Sequence, residues 1–234
     1  MIDKIKFPRT AHVYSERRYR DDLQLSEFET KELFENDLII QEKVDGANLG
    51  LYMKDGEIYA INRNTPIDYS ITRNDQFKKL GEWINNNYVD LSSILEDNKM
   101  LFGEWLYAEH SVRYDNLPSY FLSFDIFDLN EEKFVSQTKL EDILEDTDIS
   151  YNPVLYKGRI NSISDLDNLM VQSQFGPEKM EGLYLRVDDE NHLVKRNKYV
   201  GAHFIQAIEE DGHWKNKGMK INKSNNALES YWSN

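Results

Sequence analysis

The sequence predicts an α+β fold, because strand-like segments joined by tight turns are interrupted by helical segments. Turn signals at residues 54–56 and 188–191 lie between alternating segments, and each predicts an antiparallel hairpin. No internal repeat, low-complexity tract or linker divides the chain. We therefore expect a single domain over residues 1–234, built of antiparallel sheets with flanking helices.

Strands dominate the first part of the predicted fold. A short apolar run with β-branched residues covers residues 37–44, and alternating segments cover residues 47–53 and 57–63. Residues 74–88 carry apolar side chains at helical spacing, which predicts a helix with Asn74 as its N-cap.

The rest of the chain continues the mixture of strands and helices. Apolar or alternating runs predict strands over residues 99–108, 120–128, 152–158, 181–187 and 192–200, and helical spacing predicts helices over residues 138–146 and 163–173. The last two strands are the arms of the second hairpin.

The composition excludes several classes of protein. The 234 residues hold 28 Lys+Arg and 42 Asp+Glu, a net charge of −14, and an apolar fraction of 40% that suffices for a core. Because the chain has no Cys, it forms neither disulfides nor thiolate metal sites. Neither a signal peptide nor an apolar run of 18 residues occurs. We expect a cytoplasmic protein, or a phage protein that acts in the host cytoplasm.

Basic residues are concentrated near both ends of an otherwise acidic chain. The net charge argues against general binding of nucleic acid, because phosphate contacts need Lys and Arg. Residues 1–20 and 215–223 are the two candidate surfaces for a polyanion, although the second is also typical of scattered, solvated lysines. Their basic residues are Lys4, Lys6, Arg9, Arg17, Arg18, Arg20, Lys215, Lys217, Lys220 and Lys223.

A lysine at the end of a predicted buried strand is the first candidate for chemistry. Lys43 is followed by Asp45 and Gly46, where the backbone is expected to turn sharply. An exposed lysine in a surface turn produces the same pattern, so its neighbours must decide. Charged side chains recur at the ends of other predicted strands, and taken together they predict a site, although each alone is typical of an edge strand or a salt bridge. These side chains are Arg63, Glu104, Glu181, Arg196 and Lys198.

In order and spacing, these segments resemble the motifs of the nucleotidyltransferases that form a covalent lysyl-nucleotide, namely ATP-dependent RNA and DNA ligases and mRNA capping enzymes. The similar segments are EKVDGAN (42–48) for motif I, NRN (62–64) for Ia, LFGEWLY (101–107) for III, YFLSFDIF (120–127) for IIIa, EGLYLRV (181–187) for IV and VKRNKYV (194–200) for V. The resemblance covers about residues 40–200 and implies a nucleotidyltransferase (ATP-grasp-like) core.

One residue of motif I favours a branch of this family. Asn48 stands where DNA ligases and capping enzymes usually carry Arg, whereas the RNA ligases of one branch carry Asn. The chain therefore looks closest to the branch that includes the second RNA ligase of T-even phage and the kinetoplastid editing ligases.

The resemblance implies a role for each candidate residue. Lys43 would be the nucleophile that attacks the α-phosphate of ATP. Glu42 would recognise the adenine amino group, chiefly through its main-chain carbonyl, and Phe124 would stack on the adenine, with simple core packing as the alternative. The other roles are ribose binding by Glu104, ribose or phosphate binding by Asn48 and Arg63, phosphate binding by Arg196 and Lys198, and placement of Mg²⁺ or Mn²⁺, through its water shell, by Glu181.

The chemistry also sets a condition on the pKa of the nucleophile. Lys43 must be neutral to attack phosphorus, although a free lysine has a pKa of about 10.4. We predict that burial and the cations Arg196 and Lys198 lower the pKa of Lys43. A spacing of two puts Arg196 and Lys198 on one strand face and Lys195 on the other. The family usually carries Lys-x-Lys here, so a register that uses Lys195 is the alternative.

The resemblance implies ATP-dependent ligation of RNA ends in three phosphoryl transfers: AMP passes to Lys43, then to a 5′-phosphate end, and a 3′-hydroxyl displaces it. Residues 201–234 are too few for the OB-fold domain that DNA ligases and capping enzymes carry after motif V, which favours a stand-alone core. The expected partner is nucleic acid, either RNA ends or a nicked duplex. A minimal DNA nick ligase and an inactive module that binds nucleotides or RNA ends are the alternatives.

The histidines predict no metal centre. None of the five has another histidine at a ligand spacing, so no zinc site is expected. His110 and Arg113, which follow motif III, are candidates for the substrate-facing surface.

Overall fold

The described part of this computed structural model comprises residues 6–15, 22–63, 65–71, 75–96, 98–201, 204 and 219–233. Its strands, in chain order, are β1 (Ala11–His12), β2 (Leu38–Lys43), β3 (Ala47–Lys54), β4 (Glu57–Asn62), β5 (Thr65–Ile67), β6 (Lys99–Trp105), β7 (Phe121–Asp128), β8 (Lys133–Phe134), β9 (Val154–Gly158), β10 (Gly182–Asp188) and β11 (Leu193–Val200). Its helices are α1 (Glu27–Phe34), α2 (Leu80–Asn86), α3 (Tyr88–Leu95), α4 (Gln137–Leu144) and α5 (Ile163–Leu169), with a 3-10 helix at Ser230–Ser233.

The strands form two sheets. The first has five strands in the order β1-β11-β10-β2-β9, and the second has six in the order β5-β4-β3-β6-β7-β8. The strand pairs are antiparallel except for β1 and β11, which run parallel. Helices connect and flank these sheets, so the predicted α+β class is confirmed.

Three helices begin at serines that cap them. Ser26 and Ser162 each form a capping box with the acidic residue three positions later, and the hydroxyl of Ser136 accepts from a backbone N–H of α4. Such caps satisfy N–H groups that have no partner within the helix. None of the helices in the described ranges combines the length and apolarity needed to cross a membrane.

The two sheets have separate cores on their outer sides. Helices α2, α3 and α4 contribute to the apolar core of the six-stranded sheet, which includes Trp83, Trp105 and Leu140. Helices α1 and α5 contribute to the core of the five-stranded sheet. The opposite faces of the sheets contact one another, as the rings of Phe124 in β7 and Tyr184 in β10 show. Side chains near Lys43 lie on these inner faces.

The predicted helix over residues 74–88 is wrong in its bounds. Asn74 lies outside the described residues, and the side chain of Asp75 accepts from the backbone N–H of Phe77 in a turn that precedes α2. Helical structure begins at Leu80, breaks at Asn87 and resumes as α3. The other predicted elements are present, although the strand predicted over residues 99–108 ends at Trp105 and the helix predicted over residues 163–173 ends at Leu169.

A C-terminal segment, residues 219–233, packs onto the loop that follows β6. The buried side chain of Asn222 accepts from the backbone N–H of Tyr114 at 2.9 Å and donates to the carbonyl oxygens of Leu106 and Ala108 at 2.8 and 3.3 Å. The ring of Trp232 stacks on Tyr120 with 5.7 Å between centroids. This segment therefore fixes the loop that carries Tyr114.

We expect Asn222→Ala to lower the free energy of unfolding by about 2–3 kcal/mol, because it leaves buried backbone groups of the loop without partners. Urea unfolding followed by tryptophan fluorescence measures the change. Asn225→Ala is the matched control, because its side chain bonds at an exposed position to Asn116. Equal stability of the two variants would contradict the assigned role of Asn222.

Candidate active site

Lys43 ends β2 and forms an ion pair with Glu181, the residue just before β10. The register of the two strands pairs Lys43 with Gly182, which brings Glu181 alongside. Lys43 Nζ donates to Glu181 Oε2 at 2.6 Å. The Lys43 side chain is 28% exposed and the Glu181 side chain 9% exposed, so the amine is accessible while its partner is nearly buried.

A second carboxylate lies on the neighbouring sheet. Glu104 in β6 pairs directly with Asn48 in β3, and its Oε1 accepts from the backbone N–H of Gly46 at 3.2 Å. A Cβ at Gly46 would lie only 2.5 Å from the carbonyl oxygen of Trp105, so the turn after Lys43 needs glycine to approach β6. Glu104 and Lys43 are thereby brought into one site.

Arg63 lies just past the end of β4. The register pairs Ile61 with Gly50, so β4 ends beside the end of β3 that carries Asn48. Arg63 is exposed, with a φ of 50° in the turn to β5. The segments that resemble motifs I, Ia and III thus lie at the same end of the neighbouring strands β3, β4 and β6.

Asp45 fixes the turn after the nucleophile candidate. Its Oδ2 accepts from the backbone N–H groups of Ser111 and Val112 at 2.7 and 3.2 Å, and its own N–H donates to the hydroxyl of Tyr114 at 2.8 Å. Burial opposes ionisation, but the hydrogen bond with His110 and the charge of Lys43 lower the pKa of Asp45. Asp45 is therefore an ionised anchor for the loop after β6.

The expected depression of the Lys43 pKa is wrong for this arrangement. Burial does act to lower the pKa of Lys43, but the carboxylates of Glu181 and Glu104 outweigh it, and the pKa is raised. Lys43 is consequently an ammonium in this structure. The sequence argument failed because it considered cations near Lys43 and left out the carboxylates that surround it.

The pKa values of the two glutamates beside Lys43 are raised as well. Burial raises the pKa of Glu104 to about 8, with Lys43 opposing and Glu181 adding to the shift. Burial likewise raises the pKa of Glu181 to about 7, with Lys43 opposing and Asp45 adding. One ammonium cannot neutralise three nearby carboxylates, so protonation of Glu104 and Glu181 is favoured near neutral pH while Asp45 stays ionised.

Arg196 and Lys198 lie on the same face of the five-stranded sheet as Lys43. Arg196 pairs with Arg186 and Lys198 with Tyr184 across β10, on the face that carries Lys43 through Gly182. Lys195 pairs with Val187 and so lies on the other face. This geometry favours the register in which Arg196 and Lys198 serve the site.

Both cations are engaged with carboxylates other than those around Lys43. Arg196 Nη1 donates to Asp125 Oδ2 at 3.0 Å, and its guanidinium lies 3.7 Å from the ring centroid of Phe134. Lys198 Nζ donates to Asp22 Oδ2 at 2.7 Å. These pairs are a second reason why the two cations do not lower the pKa of Lys43 as predicted.

A buried ionic network beside the site escaped the sequence analysis. Asp125, fully buried, accepts from Arg186, from Arg196 and from the hydroxyl of Tyr184. Arg186 also donates to the carbonyl oxygen of Phe124 at 3.0 Å. The contacts of Asp125 join β7 to β10 and β11, and the signal available in the sequence was Arg186 in the interior of a largely apolar strand.

Phe124 belongs to an aromatic cluster between the sheets. It is partly buried, and its ring contacts Phe7 at 5.1 Å and Tyr184 at 5.9 Å between centroids. Phe7 also lies 4.8 Å from the guanidinium of Arg196. The N-terminal segment thus covers part of the face that carries Phe124 and Arg196.

Glu42 points away from Lys43, as neighbours along a strand do. Its side-chain Oε2 accepts from the backbone N–H of Gln174 at 3.0 Å, and burial raises its pKa. Its main-chain carbonyl, the group expected to read adenine, accepts from the side chain of Asn152. Asn152 is a second residue that the sequence did not single out.

Two histidines lie close to the site. The nearly buried His12 pairs with Lys198 in the β1–β11 register and contacts Asp22 Oδ2 at 3.0 Å; burial lowers its pKa to about 4. His110 contacts Gln76 at 2.9 Å and lies against Asp45. Arg113, the other candidate for the substrate face, is half exposed.

The basic segments are described only in part. Lys4, Arg17, Arg18, Arg20, Lys215 and Lys217 lie outside the described residues. Arg9 contacts Asp22, and Lys220 contacts Glu109 at 3.5 Å. Lys6 and Lys223 lie within the described residues.

The carboxylates of the site suit a hard divalent cation. Mg²⁺ and Mn²⁺ take carboxylate, phosphate and water oxygens, and one or two protein carboxylates suffice when a phosphate substrate supplies the rest. Glu181 and Glu104 have this chemistry. Within the described ranges no group of three or more His, Cys, Asp or Glu could hold a metal by itself, so a cation here would depend on substrate and water.

Comparison with known proteins identifies what this arrangement is similar to. The sequence profile of the RNA ligase family matches residues 36–200, more than half of the chain. The match includes the segments that carry Lys43, Glu104 and Glu181. No curated protein sequence matches the chain.

Solved structures of an RNA ligase from Naegleria gruberi have a similar fold. A complex with pyrophosphate has a TM-score of 0.60 at 17% identity and covers 77% of this chain and 54% of that chain. A mutant with ATP and manganese has a TM-score of 0.56 at 17% identity, covering 75% and 53%. A mutant with AMP and manganese has a TM-score of 0.55 at 16% identity, covering 75% and 52%. The chain thus spans about half the length of these proteins.

The raised pKa of Glu104 predicts a pH-dependent stability. Above its ordinary pKa of 4.5 the unfolded chain ionises this group while the folded chain keeps it protonated up to a pKa of about 8. The group therefore destabilises the fold progressively as pH rises across this window. In Glu104→Gln the side chain is neutral throughout. We therefore expect the melting temperature of the variant, relative to that of wild type, to increase from about pH 5 to pH 8.

Thermal melts at several pH values measure this difference. Glu32→Gln is the control, because Glu32 is exposed on α1. A variant-minus-wild-type difference that does not change with pH, or that changes equally in the control, would contradict the assignment.

Proposed function

This chain belongs to the RNA ligase family, and from that premise we propose that it joins RNA 3′-hydroxyl and 5′-phosphate ends with the use of ATP. The observation that carries the proposal is the position of Lys43. Its amine is accessible at a strand end, it contacts Glu181, and it shares one sheet face with Arg196 and Lys198.

The proposed reaction begins at Lys43 Nζ. The amine loses its proton and forms a bond to the α-phosphorus of ATP, while the bond from that phosphorus to the bridging oxygen breaks and pyrophosphate leaves with the electron pair. AMP next passes from Nζ to the 5′-phosphate of an RNA end. The RNA 3′-hydroxyl then attacks that phosphate, and AMP leaves. Each step is an exchange of one bond to phosphorus for another.

In this proposal, different residues around Lys43 bind the adenine, the ribose and the phosphates of ATP. Phe124 stacks on adenine and the Glu42 carbonyl accepts from its amino group. Glu104 binds the ribose hydroxyls, and Asn48 and Arg63, at the same end of the neighbouring strands β3 and β4, bind ribose or phosphate oxygens.

Arg196 and Lys198 supply positive charge to the phosphates. Glu181, with Glu104 beside it, would hold a divalent cation, Mg²⁺ or Mn²⁺. When bound, the cation would neutralise carboxylates that now raise the Lys43 pKa and would offset the phosphate charge.

RNA is the preferred substrate class because of Asn48, and sealing of nicked or broken RNA in the cytoplasm is the activity we expect. The branch with the second T-even phage RNA ligase and the kinetoplastid editing ligases stays a prediction. A DNA nick ligase is the second candidate. Sealing assays on matched RNA and DNA nicks distinguish the two.

We expect incubation with α-labelled ATP and Mg²⁺ or Mn²⁺ to leave label on the denatured protein. Lys43→Met should abolish this label, because no amine remains to form the bond to phosphorus. Lys157→Met, an exposed lysine in the same sheet, is the matched control and should label like wild type. GTP should label poorly.

Each outcome of the labelling experiment is informative. Label from ATP that persists in Lys43→Met would place the nucleophile elsewhere. No label on folded wild-type protein, with either metal, would overturn the ligase proposal and leave a module that binds nucleotides or RNA ends.

The motif V register gives a further prediction. Arg196→Ala should lower labelling at subsaturating ATP by about tenfold or more, because a charge-assisted contact to phosphate is lost. Lys195→Ala should change it little, because Lys195 lies on the opposite strand face. The dependence of the initial labelling rate on ATP concentration measures both. A larger loss of labelling in Lys195→Ala than in Arg196→Ala would establish the register that uses Lys195.

A further inference from the structure

Asn152 joins the strand that carries Lys43 to the strand that carries Phe124. Its backbone N–H donates to the carbonyl oxygen of Ser123 in β7 at 2.8 Å. Its backbone carbonyl accepts from the side chain of Gln41 in β2 at 2.6 Å, and its side-chain Nδ2 donates to the carbonyl oxygen of Glu42. Asn152 is only 2% exposed.

Two carboxamides at this junction have buried oxygens that lack a hydrogen-bond partner in the described structure. The oxygens are Asn152 Oδ1 and Gln41 Oε1, and in each residue the amide nitrogen is already bonded to a backbone carbonyl. Buried acceptors without partners are rare and costly in folded proteins. Because the nitrogens are held, each oxygen is the hydrogen-bonding atom of its carboxamide that lacks a donor.

Asn152 contacts the residue before Phe124 and the residue before Lys43. Ser123 immediately precedes Phe124, the proposed stacking residue, and Glu42 immediately precedes Lys43, the proposed nucleophile. A nucleotide that stacks on Phe124 and presents its α-phosphate to Lys43 would lie between the two strands that Asn152 contacts. A base edge that carries a hydrogen-bond donor would match the unpartnered Asn152 Oδ1.

We propose that Asn152 determines base specificity, with its Oδ1 accepting a hydrogen bond from the 6-amino group of adenine. The proposal rests on the proposed function of the site and adds a side-chain acceptor to the Glu42 carbonyl. Guanine has an acceptor oxygen at position 6, so two acceptors would face each other and GTP is rejected. Gln41 is a positioning residue, because its amide holds the Asn152 backbone.

The experiment compares two nucleotides that differ by one amino group. Initial rates of enzyme labelling are measured with α-labelled ATP and with α-labelled purine riboside 5′-triphosphate, which lacks the 6-amino group. Wild type should prefer ATP, and Asn152→Leu, of similar size without polar atoms, should reduce that preference by about tenfold. Asn161→Leu, at an exposed position before α5, is the matched control and should keep the wild-type preference.

A merely structural role for Asn152 predicts a different pattern. Asn152→Leu would then slow labelling by both nucleotides equally and leave the preference unchanged, which would overturn the inference. Equal rates for the two nucleotides with wild type would overturn it without any variant. Absence of label from both nucleotides would instead count against the proposed function itself.

A second variant covers a failure of Asn152→Leu to fold. Asn152→Ala removes the same oxygen without adding apolar bulk, and we expect it also to lose most of the preference for ATP over the purine nucleotide. A wild-type preference that is kept in folded Asn152→Ala would also contradict the inference.

Discussion

The ion pair between Lys43 and Glu181 is the interaction on which the rest of the site depends. It joins the ends of β2 and β10, and the turn that follows Lys43 brings Glu104 and Asp45 close to the same ammonium. Removing one member of a buried pair leaves an uncompensated charge and costs several kcal/mol. The positions of β2, β6 and β10 at the site therefore depend on how the charge of Lys43 compensates the surrounding carboxylates.

Polar contacts also fix how the two sheets face each other. Asp125 in β7 binds Arg186 and Arg196 from the other sheet, and Asn152 bonds to both β2 and β7. Apolar packing is interchangeable over small shifts, whereas hydrogen bonds are directional and specify one arrangement. These hydrogen bonds between the sheets give each charged group a defined partner. The inner faces can therefore carry many charged groups.

The sequence predicted the strands well because their alternation and turn signals are local. It also identified Lys43, Glu104 and Glu181, which lie at strand ends where the register brings them together. It gave the wrong sign for the pKa of Lys43, because it left out the carboxylates around the amine and because the partners of the nearby cations are remote in the chain. Asp22 binds a lysine 176 positions away, and no spacing rule reaches that far. The roles of Asn152 and Asn222 were missed for the same reason, since their contacts are formed only in the folded chain.

The two cations proposed to bind phosphate differ in how firmly their present partners hold them. Asp125 is fully buried and shared between two arginines and Tyr184, so separating Arg196 from it would leave a buried charge less well compensated. Asp22 is 46% exposed and can be solvated when Lys198 leaves it. A polyphosphate would therefore draw Lys198 away at little cost while Arg196 stays fixed. In this arrangement Arg196 supplies a preorganised charge and Lys198 a mobile one.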